Sequence, residues 1–208
     1  MRHAVLAAPK TIEWRDAPSP RLAAGEVLVD VRAALTCGTD LKTYRRGHPK
    51  LAFGPFGHEA SGDIVAVGDG VTRFAAGDAV MWAPTAPCGS CVRCTNGTEN
   101  LCLHLFDGIA LGAYGKQIVL PPRVVATNVY RKPESLTYIE AAFLEPLAAV
   151  VHGWNVLLRA DAASRTPRSV AIVGSGTIGM LHLLNAVRAG SSVTMISSTG
   201  PRAQLARD

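Results

Sequence analysis

Four of the five cysteines in this 208-residue chain fall in one short stretch, Cys88-x-x-Cys91-x-x-Cys94 and then Cys102. No other feature limits the fold as tightly. Thiolates are soft ligands, and zinc takes four of them at tetrahedral corners at about 2.3 Å. A two-residue spacer lets successive sulfurs curl round one ion, and the longer gap lets the loop return with the fourth. Gly89 and Gly97 suit the tight turns of such a loop. A closed shell of four thiolates leaves no corner for water, so a zinc held here is structural. Four buried thiols and an iron–sulfur cluster are the alternatives to this reading. A disulfide framework is disfavoured: the apolar run Ala4 to Ala8 is too short for a signal peptide and ends at Pro9-Lys10. The expectation is a cytoplasmic protein.

Segments on either side of the cysteine cluster read as short strands. Glu26 to Val31, Gly62 to Gly68, Ala79 to Trp82 and Gln117 to Leu120 are rich in Val and bounded by Gly or Pro. Such punctuation predicts a small barrel or sandwich. The pattern changes near Pro133. Ser135 to Glu140 opens a helix, and a second helical run spans Leu147 to Leu158, with Pro146 in its first turn where the missing N–H costs nothing. Arg159 to Arg168 reads as a linker or surface loop. Then come a strand at Ser169 to Val173, a glycine-rich turn, a helix from Thr177 to Ala189 stopped by Gly190, and a second strand from Ser192 to Ile196. Strand, helix, strand in this order is the start of a parallel sheet.

The turn reads Gly174-Ser175-Gly176-Thr177-Ile178-Gly179, a G-x-G-x-x-G placed after a strand and opening a helix. In that context it is a dinucleotide fingerprint. Gly174 permits the turn, Gly176 lets the backbone approach a pyrophosphate, and Gly179 lets helix and strand pack closely. N–H groups at the helix start donate to the phosphates. Gly174, Gly176, Ile178 and Gly179 are the expected cofactor contacts here.

A second set of ligands is dispersed. Cys37 stands in Leu35-Thr36-Cys37-Gly38-Thr39-Asp40, His58 and Glu59 in Phe56-Gly57-His58-Glu59, and Glu145 before Pro146. Singly, each has a bland explanation: a core cysteine, a surface pair, a helix start. Together they offer thiolate, imidazole and carboxylate, the mixed set of an open catalytic zinc site.

The order of these motifs is similar to that of the zinc-containing medium-chain alcohol dehydrogenases. The sorbitol (polyol) and threonine dehydrogenase branch is resembled most, since it has Glu-Pro-Leu where other members have a cysteine. The resemblance covers essentially the whole chain. It implies a GroES-like β-barrel catalytic domain at 1–150, then the N-terminal part of a doubly wound Rossmann domain at 151–208, an α+β and α/β mixture. It implies two zinc ions, one structural on Cys88, Cys91, Cys94 and Cys102, and one catalytic on Cys37, His58 and Glu59. Glu145 either completes the catalytic shell or holds its water. Thr39 is the expected hydroxyl relay for the substrate proton. Lys42 stands where the family usually has a relay histidine, so it either contacts substrate or cofactor or is bypassed by water. Tyr44 takes a position often used to line the substrate pocket, and a packing role fits it equally.

The implied function is hydride transfer between a secondary alcohol (a polyol, sugar or amino alcohol) and NAD or NADP, in a homo-oligomer. Ser197 replaces the acid that usually grips the ribose 2′-hydroxyl. With Ser198, Thr199 and Arg202 it leaves room for a 2′-phosphate. Because the β-α-β unit ends at Asp208 after two strands, a chain of this length is expected not to turn over by itself. A non-catalytic zinc-stabilised binding module is the alternative, but it needs neither the second metal set nor the dinucleotide turn.

Composition excludes other classes. Hydrophobic residues make up 48 % and charged residues 18 %, a globular balance. The formal charge of +5 is scattered apart from Lys42, Arg45, Arg46 and Lys50, and the basic residues are not interleaved with aromatics. A solvated face is the reading, with no nucleic-acid partner. No apolar stretch reaches membrane-spanning length, so no membrane partner is expected.

Overall fold

Valine-rich alternation sets the first sheet. Strands β1 (Arg2–Ala8) and β2 (Thr11–Asp16) form an N-terminal hairpin, followed by β3 (Val27–Ala34), helix α1 (Gly38–Arg46), and the short β4 (Gly54–Pro55). Next come β5 (Ala60–Val67), β6 (Ala79–Trp82), α2 (Val92–Thr95), β7 (Gln117–Leu120), α3 (Pro122–Thr127), β8 (Val129–Arg131) and α4 (Tyr138–Ala141). The remaining elements are α5 (Leu144–Ala160), β9 (Ser169–Val173), α6 (Thr177–Arg188), β10 (Ser192–Ile196) and α7 (Pro201–Leu205). This computed structural model describes residues 2–160, 166–197 and 200–207. The chain divides into two compact units, Met1–Glu145 and Pro146–Asp208. No described helix is long and apolar enough to cross a membrane.

In the first unit, antiparallel pairing gives a five-stranded sheet in the order β7-β3-β5-β6-β8 and a three-stranded sheet in the order β2-β1-β4. Residues 114–116 join the two. The Ala4 N–H donates to the Tyr114 carbonyl at 3.0 Å, Lys116 N–H to Arg2 at 3.2 Å, and Val31 N–H to Lys116 at 2.9 Å. A strand-like connection shared by both sheets leaves fewer unpaired edges, which is the physical advantage of barrel closure. Val27, Val29, Ile64, Val80, Trp82, Leu120, Val124 and Val129 fill the interior and are almost wholly buried. Burial of each such side chain stabilises by about 1.5–3 kcal/mol. Gly62 in β5 lies so close to β3 that a Cβ there would stand 2.0 Å from the Asp30 carbonyl oxygen.

The sequence anticipates β3 and β5 to β7 closely. It misses the N-terminal hairpin, whose β2 is exposed along its whole length although Ile12 and Trp14 alternate with polar residues. Short α1 also goes unread, since polar residues fill most of it.

In the second unit pairing is parallel: β9 and β10 run in register from Ser169 with Ser192 to Val173 with Ile196, and α6 makes the crossover. Val150 and Trp154 of α5 pack with Ala186 of α6 and the partly buried Val170, Leu181 and Val193. The Trp154 indole N–H donates to His182 Nδ1 at 3.0 Å, which satisfies a polar atom inside this small core.

Helix α4 is tied to β5. Ser61 Oγ donates to the Tyr138 carbonyl, the Tyr138 hydroxyl donates to Asp63, and Arg32 pairs with Asp63 at 2.9 Å. Its start is a capping box. Thr137 Oγ1 accepts from Glu140 N–H at 3.2 Å, and the Glu140 carboxylate accepts from Thr137 N–H at 2.7 Å. That backbone N–H, with the Thr137 hydroxyl, holds the Glu140 carboxyl below its usual value of 4.5. A carboxyl depressed on folding contributes stability above its unfolded pKa and loses that contribution as pH falls through the folded value. Glu140→Gln is therefore expected to lower the melting temperature at pH 7 and to narrow its gap from wild type at pH 3. Thermal melts at the two pH values check this, and an equal gap at both would exclude the carboxylate as the source.

Candidate metal centres and cofactor groove

The four-cysteine loop folds round a common centre. Sγ separations are 3.9 Å for Cys88 and Cys94, 3.6 Å for Cys91 and Cys94, and 3.8 Å for Cys91 and Cys102. A tetrahedron with arms of about 2.3 Å has edges of about 3.8 Å, so these sulfurs are spaced for zinc. All four ligand atoms lie within 4.8 Å of one another. Backbone N–H groups point at the sulfurs: Cys91 N–H to Cys88, Cys88 N–H to Cys102 and His104 N–H to Cys102, each at 3.3 Å. Donation from the Ser90 and Cys91 backbone pulls the Cys88 thiol down to about 5, whereas burial pushes Cys94 up to about 12. Gly89 and Gly97 have φ of 76° and 72°, the left-handed conformation that glycine adopts without strain.

The second set is assembled by strand pairing. Ala34 at the end of β3 pairs with Ala60 at the start of β5, and Leu35 N–H donates to the Glu59 carbonyl at 2.9 Å. Cys37 follows the first strand and His58-Glu59 precede the second, so the pairing brings all three together. Their ligand atoms lie within 4.8 Å of one another. Three ligands of thiolate, imidazole and carboxylate type leave a tetrahedral ion one open corner. Glu145, at the start of α5, is not part of this close set. It lines the same pocket as Thr39 and His58. Burial raises its carboxyl above the usual range, the Glu59 charge adds to the rise, and His58 opposes it.

Cys37 is also the N-cap of α1. Its sulfur accepts from Thr39 N–H at 3.3 Å, and the Asp40 carboxylate accepts from Cys37 N–H at 2.9 Å. Asp40 does more than cap. It lies 3.2 Å from His58 Nδ1 and 2.8 Å from the Tyr114 hydroxyl. Burial would raise the Asp40 pKa, but bonding to His58, Cys37 and Tyr114 outweighs it and the carboxyl is held low. Burial likewise disfavours a charged His58, yet Asp40 and Cys37 overcome it and push His58 up to about 10 in the metal-free chain. Gly57, with φ of 88°, packs under the Tyr114 ring, which stands 2.7 Å from where a Cβ would be. Asp40 and Tyr114 escape the sequence reading. Asp40 had one visible signal, its place three residues after a candidate ligand, whereas nothing local marks Tyr114.

Other expected positions divide. Thr39 lines the pocket; Lys42 is exposed and does not. Thr43, one turn beyond Thr39, lines the pocket where Tyr44 does not. On the second unit, Gly174, Gly176, Ser197 and Arg202 share one groove with Ser175, Gly200 and Pro201. Gly174 has φ of 102°, a Cβ on Gly176 would meet open space, and a Cβ on Gly179 would stand 2.0 Å from the Gly174 carbonyl. These are the three glycine roles of a phosphate-binding turn. Ile178 does not line the groove. Ser197 Oγ is bonded to Ser175 Oγ, while Ser198 and Thr199 lie outside the described residues.

Comparison with known proteins agrees with this geometry. Residues 23–131 match the family described as the alcohol dehydrogenase GroES-like domain. The chain is 32 % identical over 198 residues to sorbitol dehydrogenase of Bombyx mori, covering 93 % of this chain and 55 % of that protein. It is 32 % identical over 201 residues to L-threonine 3-dehydrogenase of Francisella philomiragia subsp. philomiragia, covering 93 % of this chain and 54 % of the relative. Among solved structures, galactitol-1-phosphate dehydrogenase from Escherichia coli superposes with a TM-score of 0.85 at 29 % identity, covering 100 % of this chain and 58 % of that one. A Sinorhizobium meliloti 1021 protein, assigned as a zinc-binding dehydrogenase and solved bound to NADP, gives 0.84 at 30 % identity, covering 99 % and 58 %. The chain thus spans little more than half the length of these relatives. It belongs to the zinc-containing medium-chain alcohol dehydrogenase family, whose GroES-like domain it carries.

Proposed function

We propose that this chain supplies the metal-binding catalytic part, and the first part of the cofactor-binding part, of an enzyme that moves hydride between a secondary alcohol and NAD(P). The observation that carries the reading is the three-ligand set of Cys37, His58 and Glu59 at a pocket lined by Thr39 and Glu145. A binding module stabilised by one closed zinc loop has no use for it. Polyols, sugars and amino alcohols are the substrate class supported by the sorbitol and threonine dehydrogenase relatives. The domain limits in this reading are 1–150 and 151–208. A cytoplasmic homo-oligomer belongs to the same reading.

The donor sets fit the groups they would hold. Cys88, Cys91, Cys94 and Cys102 would hold a structural zinc, and Cys37, His58 and Glu59 a catalytic one. When bound, zinc supplies Lewis acidity at the alcohol oxygen and the nicotinamide accepts the hydride. Asp40 positions His58: by accepting from Nδ1 it leaves the other ring nitrogen for the metal. Glu145 stands outside the close ligand set and lines the pocket with Thr39 and His58, so it would act on the group at the open corner. The Thr39 hydroxyl passes the substrate proton outward. Lys42 is exposed, which favours an exit through pocket water. Gly174, Gly176 and the α6 N-terminus would hold the cofactor phosphates, and Ser197 and Arg202, which line the same groove, would meet the ribose.

Elemental analysis of the whole protein is expected to find two zinc ions per chain. Cys94→Ser is expected to lose one and lower the melting temperature, because structural zinc contributes folding energy. His58→Ala is expected to lose the other and abolish alcohol oxidation with little change in melting temperature. A single zinc in active protein would overturn the two-site assignment.

Asp40→Asn is expected to weaken zinc at the Cys37 set by about 10–100-fold, the usual cost of removing a ligand's outer partner. Chelator competition measures it, with the four-cysteine zinc as the internal control. Unchanged affinity would assign Asp40 to helix capping alone.

The absence of an acid at Ser197 predicts kcat/KM for NADP at least equal to that for NAD, and Ser197→Asp is expected to swing preference to NAD by charge repulsion of the 2′-phosphate. Steady-state kinetics with both cofactors decide it. A strong NAD preference in the wild type is the contrary result.

A further inference from the structure

The pocket of about 340 Å³ beside the Cys37 set has a polar end and apolar sides. Its two carboxylates belong to the metal end: Asp40 bonds His58, and Glu145 feels the charges of Glu59 and His58. Leu51, Phe53, Leu105, Phe106 and Ile109 form much of the remaining wall. Across this wall lies an outer groove that shares His48, Leu51, Ala52 and Phe53 with the pocket and adds Arg46. No carboxylate lines that groove among the described residues.

Polar groups at this outlet are donors. His48 Nδ1 accepts from the Lys50 backbone N–H at 3.2 Å, so the neutral ring carries its proton on Nε2 and presents a donor there. The His48 ring packs on Phe106 with centroids 5.6 Å apart, which fixes it at the boundary of pocket and groove. The Lys50 ammonium stands 5.2 Å from the Phe106 centroid, and Phe106 lines the pocket; Lys50 follows Pro49 of the groove in sequence and is not itself among the lining residues. Arg46 lies in the last turn of α1, where a cation complements the helix dipole. That explains the charge of Arg46, and it leaves its place in one groove with His48 unexplained.

We propose that this outlet is a subsite for an anionic group, phosphate or carboxylate, at the end of the alcohol substrate remote from its reacting hydroxyl. Arg46 and Lys50 supply the charge, and His48 Nε2–H supplies a directed hydrogen bond. The apolar wall between the two ends spaces them. The inference rests on the reading of the pocket as the alcohol site. It narrows that substrate to one bearing an anion.

Two measurements on the whole zinc-loaded protein test it. First, inorganic phosphate is titrated while the His48 ring signals are followed by NMR, assigned through His48→Gln. A saturable shift is expected, weakened about tenfold by each of Arg46→Gln and Lys50→Gln, the worth of one charge-assisted hydrogen bond, and weakened further by salt. No saturable shift, or one unaffected by both substitutions, overturns the subsite. Second, kcat/KM is compared for sorbitol, sorbitol 6-phosphate and gluconate. Preference for an anionic member, carried by KM and collapsing in the double variant, supports the subsite; which anion is preferred says whether phosphate or carboxylate is read. Equal kcat/KM for neutral and anionic members overturns the subsite and leaves the dehydrogenase reading standing. No turnover of any alcohol overturns the dehydrogenase reading, and the phosphate titration then decides the subsite by itself.

Discussion

The carboxylate of Asp40 is almost wholly buried, and three segments far apart in sequence converge on it. It accepts from the N–H of Cys37, from the Tyr114 hydroxyl and from His58 Nδ1. A buried charge is costly unless its lone pairs are filled, and here each partner repays part of that cost. The same bonds fix the start of α1, the turn at Gly57 and the connection between the two sheets. The bonds that satisfy this buried acid thus also hold Cys37 and His58 in place. Tyr114 completes the arrangement from outside: its hydroxyl also lies 2.9 Å from the Leu35 carbonyl, and its ring covers Gly57.

How much of this could be read in advance depended on whether the signal was local. The four-cysteine spacing and the glycine turn carry their geometry within a few residues, and both fold as their spacing implies. Cys37, His58 and Glu59 are dispersed; they were legible through resemblance to a family, and the pairing of Ala34 with Ala60 explains their meeting. Asp40 was in plain view and went unassigned, because a capping acid and a ligand-orienting acid look identical in sequence. Tyr114 left no trace, since its partners lie at Leu35, Asp40 and Phe56. Lys42 drew attention by its register on a motif, yet the helix face it occupies turns to solvent. Thr43 holds the pocket instead because residues four apart share a face with Thr39.

Division into two units accords with two kinds of constraint. The first unit is built on antiparallel ladders and cysteine spacing, and it carries both candidate ligand sets. The second relies on one parallel pair, one crossover helix and a modest core around Trp154 and Ala186. Its distinguishing feature is backbone geometry: a positive-φ Gly174, an open Gly176 and a crowded Gly179. Side-chain chemistry thus dominates one unit and main-chain conformation the other. Substitutions should accordingly be judged by donor identity in the first and by the mere presence of a Cβ in the second.

The bond from Trp154 to His182 also has an optical consequence. The chain's three tryptophans occupy three unlike surroundings. Trp14 is open to solvent on the hairpin, Trp82 is buried in the first core with no partner for its indole N–H among the described residues, and Trp154 is hydrogen-bonded in the second core. Emission from an indole follows the polarity and hydrogen bonding of its pocket, so each ring carries its own spectral signature. With the other two replaced by phenylalanine, any one of them becomes a built-in lamp for its own neighbourhood, and the loosening of either unit can be watched without attaching a dye.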